Sequence, residues 1–156
     1  MIPSLIYLAE NHLDLITSFV AFHHVSKVEE TCIELARILR SEGYLILREH
    51  DCKTEYSLST KYLNFVHAIM MIAGVGEFAD SSKNRVTKNQ LDNAADWEEQ
   101  KWYIIQYAKT IHYRTGDDWR MMLENVGFHH RATLSYGGNG SRNPQNLFYA
   151  VYQLQK

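Results

Sequence analysis

Apolar positions along the chain change period several times. From Asp14 they run almost unbroken through Leu15, Ile16, Thr17, Ser18, Phe19, Val20, Ala21 and Phe22. That is the pattern of a strand covered on both faces, as in a parallel sheet. After His23-His24, Val28, Cys32, Leu35, Ala36 and Leu39 recur at helical spacing, with Glu29, Glu30, Glu34, Arg37 and Arg40 between them. Ser26 is expected to cap this helix with Glu29 as its capping-box partner, and Gly43 to stop it in a left-handed conformation. Tyr44-Leu45-Ile46-Leu47 then predicts a second buried strand, ending in Arg48-Glu49-His50-Asp51. Strand, helix, strand in this order predicts a right-handed parallel crossover.

The section from Glu55 to about His112 is longer than a simple crossover needs. One helix is expected from Tyr56 to Ala73, with Leu63, Val66, Ile69, Met70 and Ala73 on its buried stripe. An exposed loop is expected over Asp80-Ser81-Ser82-Lys83-Asn84-Arg85. A second helix is expected from near Asn93 to Ile111, burying Trp97, Ile104, Ile105 and Ala108. The block 55–112 reads as a helical insertion in a single domain, 1–156, either a substrate lid or extra cover for the sheet. Thr115-Gly116-Asp117-Asp118 opens a further helix, with Thr115 as cap and the aspartates at the positive end of the dipole. Its buried stripe is Trp119, Met122, Leu123 and Val126, and Gly127 ends it. Ala132–Tyr136 and Leu147–Leu154 predict an antiparallel hairpin around GGNGSRNPQN, where Asn139-Gly140 and Asn143-Pro144 are turn dipeptides.

Composition narrows the function classes. A net charge of −2 supplies no general attraction for nucleic acid or an anionic membrane. The two cysteines, Cys32 and Cys52, sit in apolar-patterned segments and fit buried thiols in a reducing compartment. The apolar run from Phe65 to Gly76 contains His67 and is too short to span a bilayer. The start, MIPSLIYLAENHLDL, lacks signal-peptide features, so the expected location is cytoplasmic.

Polar groups collect at the ends of the two predicted strands. His23 and His24 suit acid–base work or orientation of a substrate. No metal site is predicted, because adjacent strand residues point to opposite faces and share one ion only in an irregular loop. Glu49-His50-Asp51 reads as a base with its orienting carboxylate, or as salt-bridged loop residues. Tyr113-Arg114 either closes over a substrate or caps the neighbouring helix. His129-His130 is expected at the surface, and Trp97, Trp102 and Trp119 in the core. A metal hydrolase using His23, His24, His50 and Asp51 is a rival reading of the same residues.

The order of elements, with DLITSFVAFHHV, ELARILRSEGYLILREHD and YRTGDDWRMMLENVGF, resembles the class I S-adenosylmethionine-dependent methyltransferases from about Leu5 onward. The resemblance implies an α/β, Rossmann-like fold with a partial sheet of parallel strands and a C-terminal antiparallel hairpin. It covers the family's C-terminal half only. By that resemblance Asp14 begins the fourth strand, and Ser18, Phe19 and Val20 lie at its carboxyl end against the cofactor. His23, His24, Arg48, Glu49, His50 and Asp51 would then lie at the strands' carboxyl ends by the substrate, where Tyr113 and Arg114 are further candidates to bind it. Ligands of open parallel sheets gather outside the carboxyl ends of strands, which agrees.

The family also grips S-adenosylmethionine with a glycine-rich turn after its first strand and an acidic residue ending its second. Neither occurs here in a strand–turn–helix context: Gly74-Val75-Gly76 follows a helix, and Gly137-Gly138-Asn139-Gly140 lies in the hairpin. The chain therefore reads as a truncated methyltransferase, its substrate-side half, needing a missing or partner-supplied cofactor half. The alternative is a non-catalytic interaction or stimulatory subunit. Cut beside its fourth strand, the sheet exposes an apolar edge that invites self-association or a second polypeptide. The residues from Ile2 to Leu8 are a further way to cover it.

Overall fold

The strand that begins the apolar run, β1 (Leu13–Phe19), pairs in parallel with β2 (Leu39–His50), in a register that sets Leu15 opposite Tyr44 and Phe19 opposite Arg48. The crossover between them is α1 (Val28–Ile38). In this computed structural model the described residues are 8–53, 57–79, 94–136 and 146–156, with the backbone alone for 94–96, 135 and 136. The expected loop over Asp80–Arg85, the hairpin turn and nearly all of the Ile2–Leu8 segment lie outside them.

Downstream come α2 (Leu58–Ala73), α3 (Ala94–Thr110), α4 (Gly116–Glu124), β3 (Phe128–Tyr136) and β4 (Leu147–Leu154). The sheet is four-stranded in the order β1-β2-β4-β3. Thus β4 inserts between β2 and β3 and is antiparallel to both. The result is an open mixed sheet, a partial Rossmann-like fold of the kind the sequence predicts.

One face of this sheet carries the core. Leu45 and Leu47 from β2, with Phe148, Ala150, Tyr152 and Leu154 from β4, pack on Val28, Cys32 and Ala36 of α1 and on Trp119 and Leu123 of α4. Burying each of the larger aliphatic and Phe side chains among these is worth about 1.5–3 kcal/mol. The period of 3.6 in α1 and α4 against the period of 2 in β2 and β4 lets both sets meet on one plane. α4 begins as expected: Thr115 accepts from the Asp118 N–H and the Asp118 carboxylate accepts from the Thr115 N–H. Gly127, φ 94°, takes the left-handed turn after it.

Several local expectations fail, each for a physical reason. Ser26 is not the cap of α1; Lys27 occupies that position with no side-chain cap. Gly43 does not stop α1, which ends at Ile38 because Leu39 is extended, fully buried and paired with Leu13. The chain then loops within β2 between the Leu13 and Leu15 pairings, with Glu42, not Gly43, in the left-handed region at φ 63°. Gly43 is required for room: a Cβ there would lie 2.8 Å from Leu39 Cγ. Two carbonyls ending α1 are satisfied by the residues just before β1, Asn11 N–H donating to Arg37 O and His12 N–H to Ile38 O.

β1 itself is not covered on both faces. It is the edge of the described sheet, and Leu15 and Phe19 are 51% and 54% exposed. The expected stripes of α2 and α3 are also only partly buried. Leu63 is buried, but Ile69 and Ile105 are exposed. Both helices pack on one another beyond the sheet's carboxyl end, so less apolar surface reaches the core.

Candidate functional site

The chain leaves β1 through a strained joint. Val20 has φ 54°, a left-handed conformation that a β-branched residue rarely adopts. Its N–H still donates to Arg48 O at 2.7 Å, so pairing with β2 continues as the backbone turns away. Glu49, fully buried at the end of β2, then collects the next two amides: Ala21 N–H and Phe22 N–H donate to its Oε1 at 2.9 and 2.7 Å. These bonds offset a conformational cost of about 1–3 kcal/mol at Val20. The segment Phe22–His24 becomes a single 3-10 turn.

That turn changes what the two histidines can do. In a strand they would face opposite ways; in the turn their rings lie side by side with centroids 4.0 Å apart. His23 is 1% exposed, and its Nδ1 is 2.7 Å from Glu49 Oε2. Burial pushes the Glu49 carboxyl up, but the His23 hydrogen bond and charge and the Phe22 amide more than offset this, holding it below the ordinary range. Glu49 is therefore an ionised acceptor, and the Nδ1 of His23 carries the proton between them. The other nitrogen of His23, Nε2, is buried with no hydrogen-bond partner.

Around this ring stands a cluster of aromatic and imidazole groups. Tyr113 stacks on His23 at 5.4 Å with an interplanar angle of 19°, and His50 meets it edge-on at 5.4 Å. His67, from the middle of α2, lies 5.4 Å from His24 and 6.2 Å from His23. The Tyr113 hydroxyl is 3.2 Å from His67 Nδ1. Tyr107 of α3 donates its hydroxyl proton to Glu77 Oε1 at 2.6 Å and lies 3.2 Å from His24 Nδ1. Burial, with lesser contributions from neighbouring imidazoles, pulls His50 and His67 down to about 4, and burial followed by His23 lowers His24. At neutral pH His24, His50 and His67 are neutral rings with lone pairs.

Of the residues singled out in the sequence, His23, His24, Glu49, His50 and Tyr113 converge here. Ser18 is buried near the end of β1, while Phe19 projects to solvent and meets Tyr149 edge-on at 6.2 Å. Arg48 stacks its guanidinium over Tyr149 at 5.6 Å. Asp51 is occupied elsewhere, accepting the Gly116 N–H at 3.0 Å and so anchoring the start of α4. Arg114 pairs with Glu29 at 3.0 Å and covers Trp119 at 5.0 Å, tying α4 to α1. His67, Glu77 and Tyr107 were not anticipated. A histidine interrupting the apolar run Phe65–Gly76 was the one available signal.

Two kinds of ligand can be tested against these residues. One ring nitrogen each from His23, His24 and His67 lies within 4.8 Å of the other two, a spacing compatible with one metal ion. S-adenosylmethionine does not fit the described residues alone. Gly74, φ 61°, caps the C-terminus of α2 and is not a strand-end turn. Glu49, the acidic group ending a strand, is consumed by Ala21, Phe22 and His23.

Residues 3–47 match the family model described as methyltransferase domain. No curated protein sequence matches the chain. Its fold is similar to that of an S-adenosylmethionine-dependent methyltransferase from Thermotoga maritima, at 14% identity and a TM-score of 0.54, covering 96% of this chain and 59% of that one. A second, from Methanosarcina mazei, shows 11% identity, a TM-score of 0.52 and coverage of 95% and 62%. A third similar structure, from Haloferax volcanii, is a complex between the Trm112 methyltransferase activator and a protein assigned as a methyltransferase, at 10% identity, TM-score 0.54 and coverage of 96% and 57%. At these identities the likeness is one of fold, and the chain spans about three fifths of the length of these structures. The matched segment and the open mixed sheet give the chain a partial Rossmann-like fold similar to that of S-adenosylmethionine-dependent methyltransferases.

Proposed function

We propose that this chain is the substrate-side part of an S-adenosylmethionine-dependent methyltransferase, completed by a cofactor-binding part that the described residues do not supply. The edge position of β1 carries this reading. In the family the corresponding strand is central and sits beside the first strand, whereas here Leu15 and Phe19 are open to solvent. The sheet face lined by Ile46, Leu134, Tyr149 and Val151 forms an open apolar groove, as expected where a covering layer is absent from the described residues. Ser18, Phe19 and Val20 would form one wall of the cofactor site. His23, His24, His50 and Tyr113 would face the acceptor, with Glu49 fixing His23 and Arg48 close by, while Asp51 and Arg114 position α4. The helices α2 and α3, within 55–112, would wall the substrate side. Alignment of donor and acceptor supplies much of the rate in such a transfer, so the arrangement of the pocket matters more than strong acid–base chemistry. A cytoplasmic setting accords with the buried thiols and with the absence, among the described residues, of a helix able to cross a membrane.

Calorimetry with S-adenosylmethionine tests the proposal. The chain alone is expected to show no stoichiometric binding, and binding is expected to appear when a complementing first half is added. Tight one-to-one binding by the chain alone would overturn it.

The exposed β1 at the edge of the described sheet also motivates a second reading, in which the chain serves as a non-catalytic, stimulatory or interaction subunit. Co-purification with a methyltransferase whose activity it raises would support that reading. Methyl transfer by the isolated chain would remove it.

A further inference from the structure

Four side chains from separate segments converge on one point at the sheet's carboxyl end. His23 and His24 come from the 3-10 turn, His67 from α2 and Glu77 from the turn Gly76–Phe78 that follows α2. Glu77 Oε2 is 3.6 Å from His24 Nε2, and its Oε1 is 3.8 Å from His67 Nε2. Both separations are too long for direct hydrogen bonds. Among these groups the buried Nε2 of His23 has no partner.

Hydrogen bonds around the cluster orient its lone pairs inward. Glu49 holds the proton on His23 Nδ1, so in the neutral ring Nε2 is an acceptor. Tyr107 gives its only hydroxyl proton to Glu77, so its oxygen accepts from His24 Nδ1–H and leaves His24 Nε2 as a lone pair. The Tyr113 hydroxyl lies 3.2 Å from His67 Nδ1, and when that nitrogen is the donor His67 Nε2 is likewise a lone pair. Three imidazole nitrogens and a carboxylate therefore gather around one small volume, a donor set that suits a cation. A carboxylate bonded to the far nitrogen of a ligating histidine is the usual support of a zinc ligand.

We propose that His23, His24 and His67, with Glu77 as fourth ligand, form a binding site for a divalent cation of the zinc class. Three nitrogens and one oxygen suit zinc or a neighbouring first-row metal, whereas magnesium and calcium require oxygen ligands. Tetrahedral zinc about 2.0–2.2 Å from each donor sets the donors about 3.3–3.5 Å apart. The Glu77 separations of 3.6 and 3.8 Å are close to this, and the histidine nitrogens, within 4.8 Å of one another, reach it by ring shifts. The ion would clamp the turn after β1 to α2 and its following turn, fixing the mouth of the site. This inference stands apart from methyl transfer, because it requires no cofactor half.

The chain, stripped of metal by a chelator, is titrated with Zn²⁺ by calorimetry and with Co²⁺ by visible absorption. One equivalent of each is expected to bind, Co²⁺ giving the intense bands of tetrahedral geometry. His67→Asn and Glu77→Gln should each weaken binding by at least about tenfold, and Tyr107→Phe, which frees a supporting hydrogen bond, by roughly 10-fold. His129→Asn, at an exposed histidine, should change nothing. Circular dichroism checks that each variant is folded. If His67→Asn unfolds, Glu77→Gln decides, because its carboxylate is 39% exposed and removing its charge spares the core. The proposal is overturned by the absence of saturable binding to the folded chain, by unchanged affinity in folded Glu77→Gln, or by an equal loss in His129→Asn.

Discussion

His23 Nδ1 lies 2.7 Å from Glu49 Oε2, with both side chains 1% exposed. The pair joins the carboxyl ends of the two parallel strands, and the other oxygen of the same carboxylate holds the Ala21 and Phe22 amides. One buried anion therefore fixes both a backbone turn and a ring orientation. Removing it should act on the fold and the site together. Glu49→Ala leaves two amides and an imidazole N–H without their acceptor, and a loss of about 3–5 kcal/mol is expected. Chemical denaturation measures it; a change under about 1 kcal/mol would mean the turn is held by something else.

The core and the outer helices should respond differently to truncation. Leu123 is fully buried against the sheet, whereas Ile105 is 53% exposed. Leu123→Ala is expected to cost about 2–5 kcal/mol. Ile105→Ala should stay within about 0.5 kcal/mol. Equal losses in the two variants would show that α3 is packed far more tightly than described.

Both thiols should be slow to react in the folded protein. Burial pushes Cys32 and Cys52 up to about 11, so little thiolate exists at pH 8. A disulfide reagent at that pH is expected to label neither until denaturant is added. Rapid labelling of one thiol under native conditions would place it in an open segment.

The cap of α4 gives a test with a defined sign. Thr115→Ala should cost about 1 kcal/mol by removing the acceptor for the Asp118 amide. Hydrogen bonds from the Thr115 hydroxyl and backbone hold the Asp118 carboxyl below its usual range. A depressed carboxylate stabilises the fold above its unfolded pKa and loses that effect as pH falls through its native value. The stability difference between the parent chain and Asp118→Asn should therefore shrink on acidification. A difference that grows in acid would refute the assignment.

The edge strand of the described sheet should be visible in solution. Leu15, exposed on β1, is expected to promote concentration-dependent association of the chain, and Leu15→Lys to reduce it. Sedimentation across a range of concentrations reads this directly. Identical behaviour of the two proteins would indicate that β1 takes no part.

Patterns set by local period were legible in the sequence. The apolar runs read as β2 and β4 and the helical stripe of α4 depend on neighbours a few positions apart, and a strand or helix covers each, though β2 extends from Leu39 to His50. The end of α1 was not legible, since it depends on Leu39 finding Leu13 across the sheet. The two histidines of the turn were visible, but their common direction depends on Val20 turning left-handed under the hold of Glu49. His67 was noted only as a polar break in an apolar run, and Glu77 not at all, because no short spacing links them to residues 23 and 24. The structural contacts of Asp51 and Arg114 were not legible either: polar residues near strand ends also serve to start helices and to bind them together.

The placement of β4 has a consequence for how the molecule is made. Strand β3 meets the rest of the sheet only through β4, yet β4 is the last of the four strands to leave the ribosome. Until Leu147–Leu154 emerges, β2 has one open side and β3 has no sheet to join. The nascent chain must keep both waiting, so closure of the sheet comes late, with strand edges open until then.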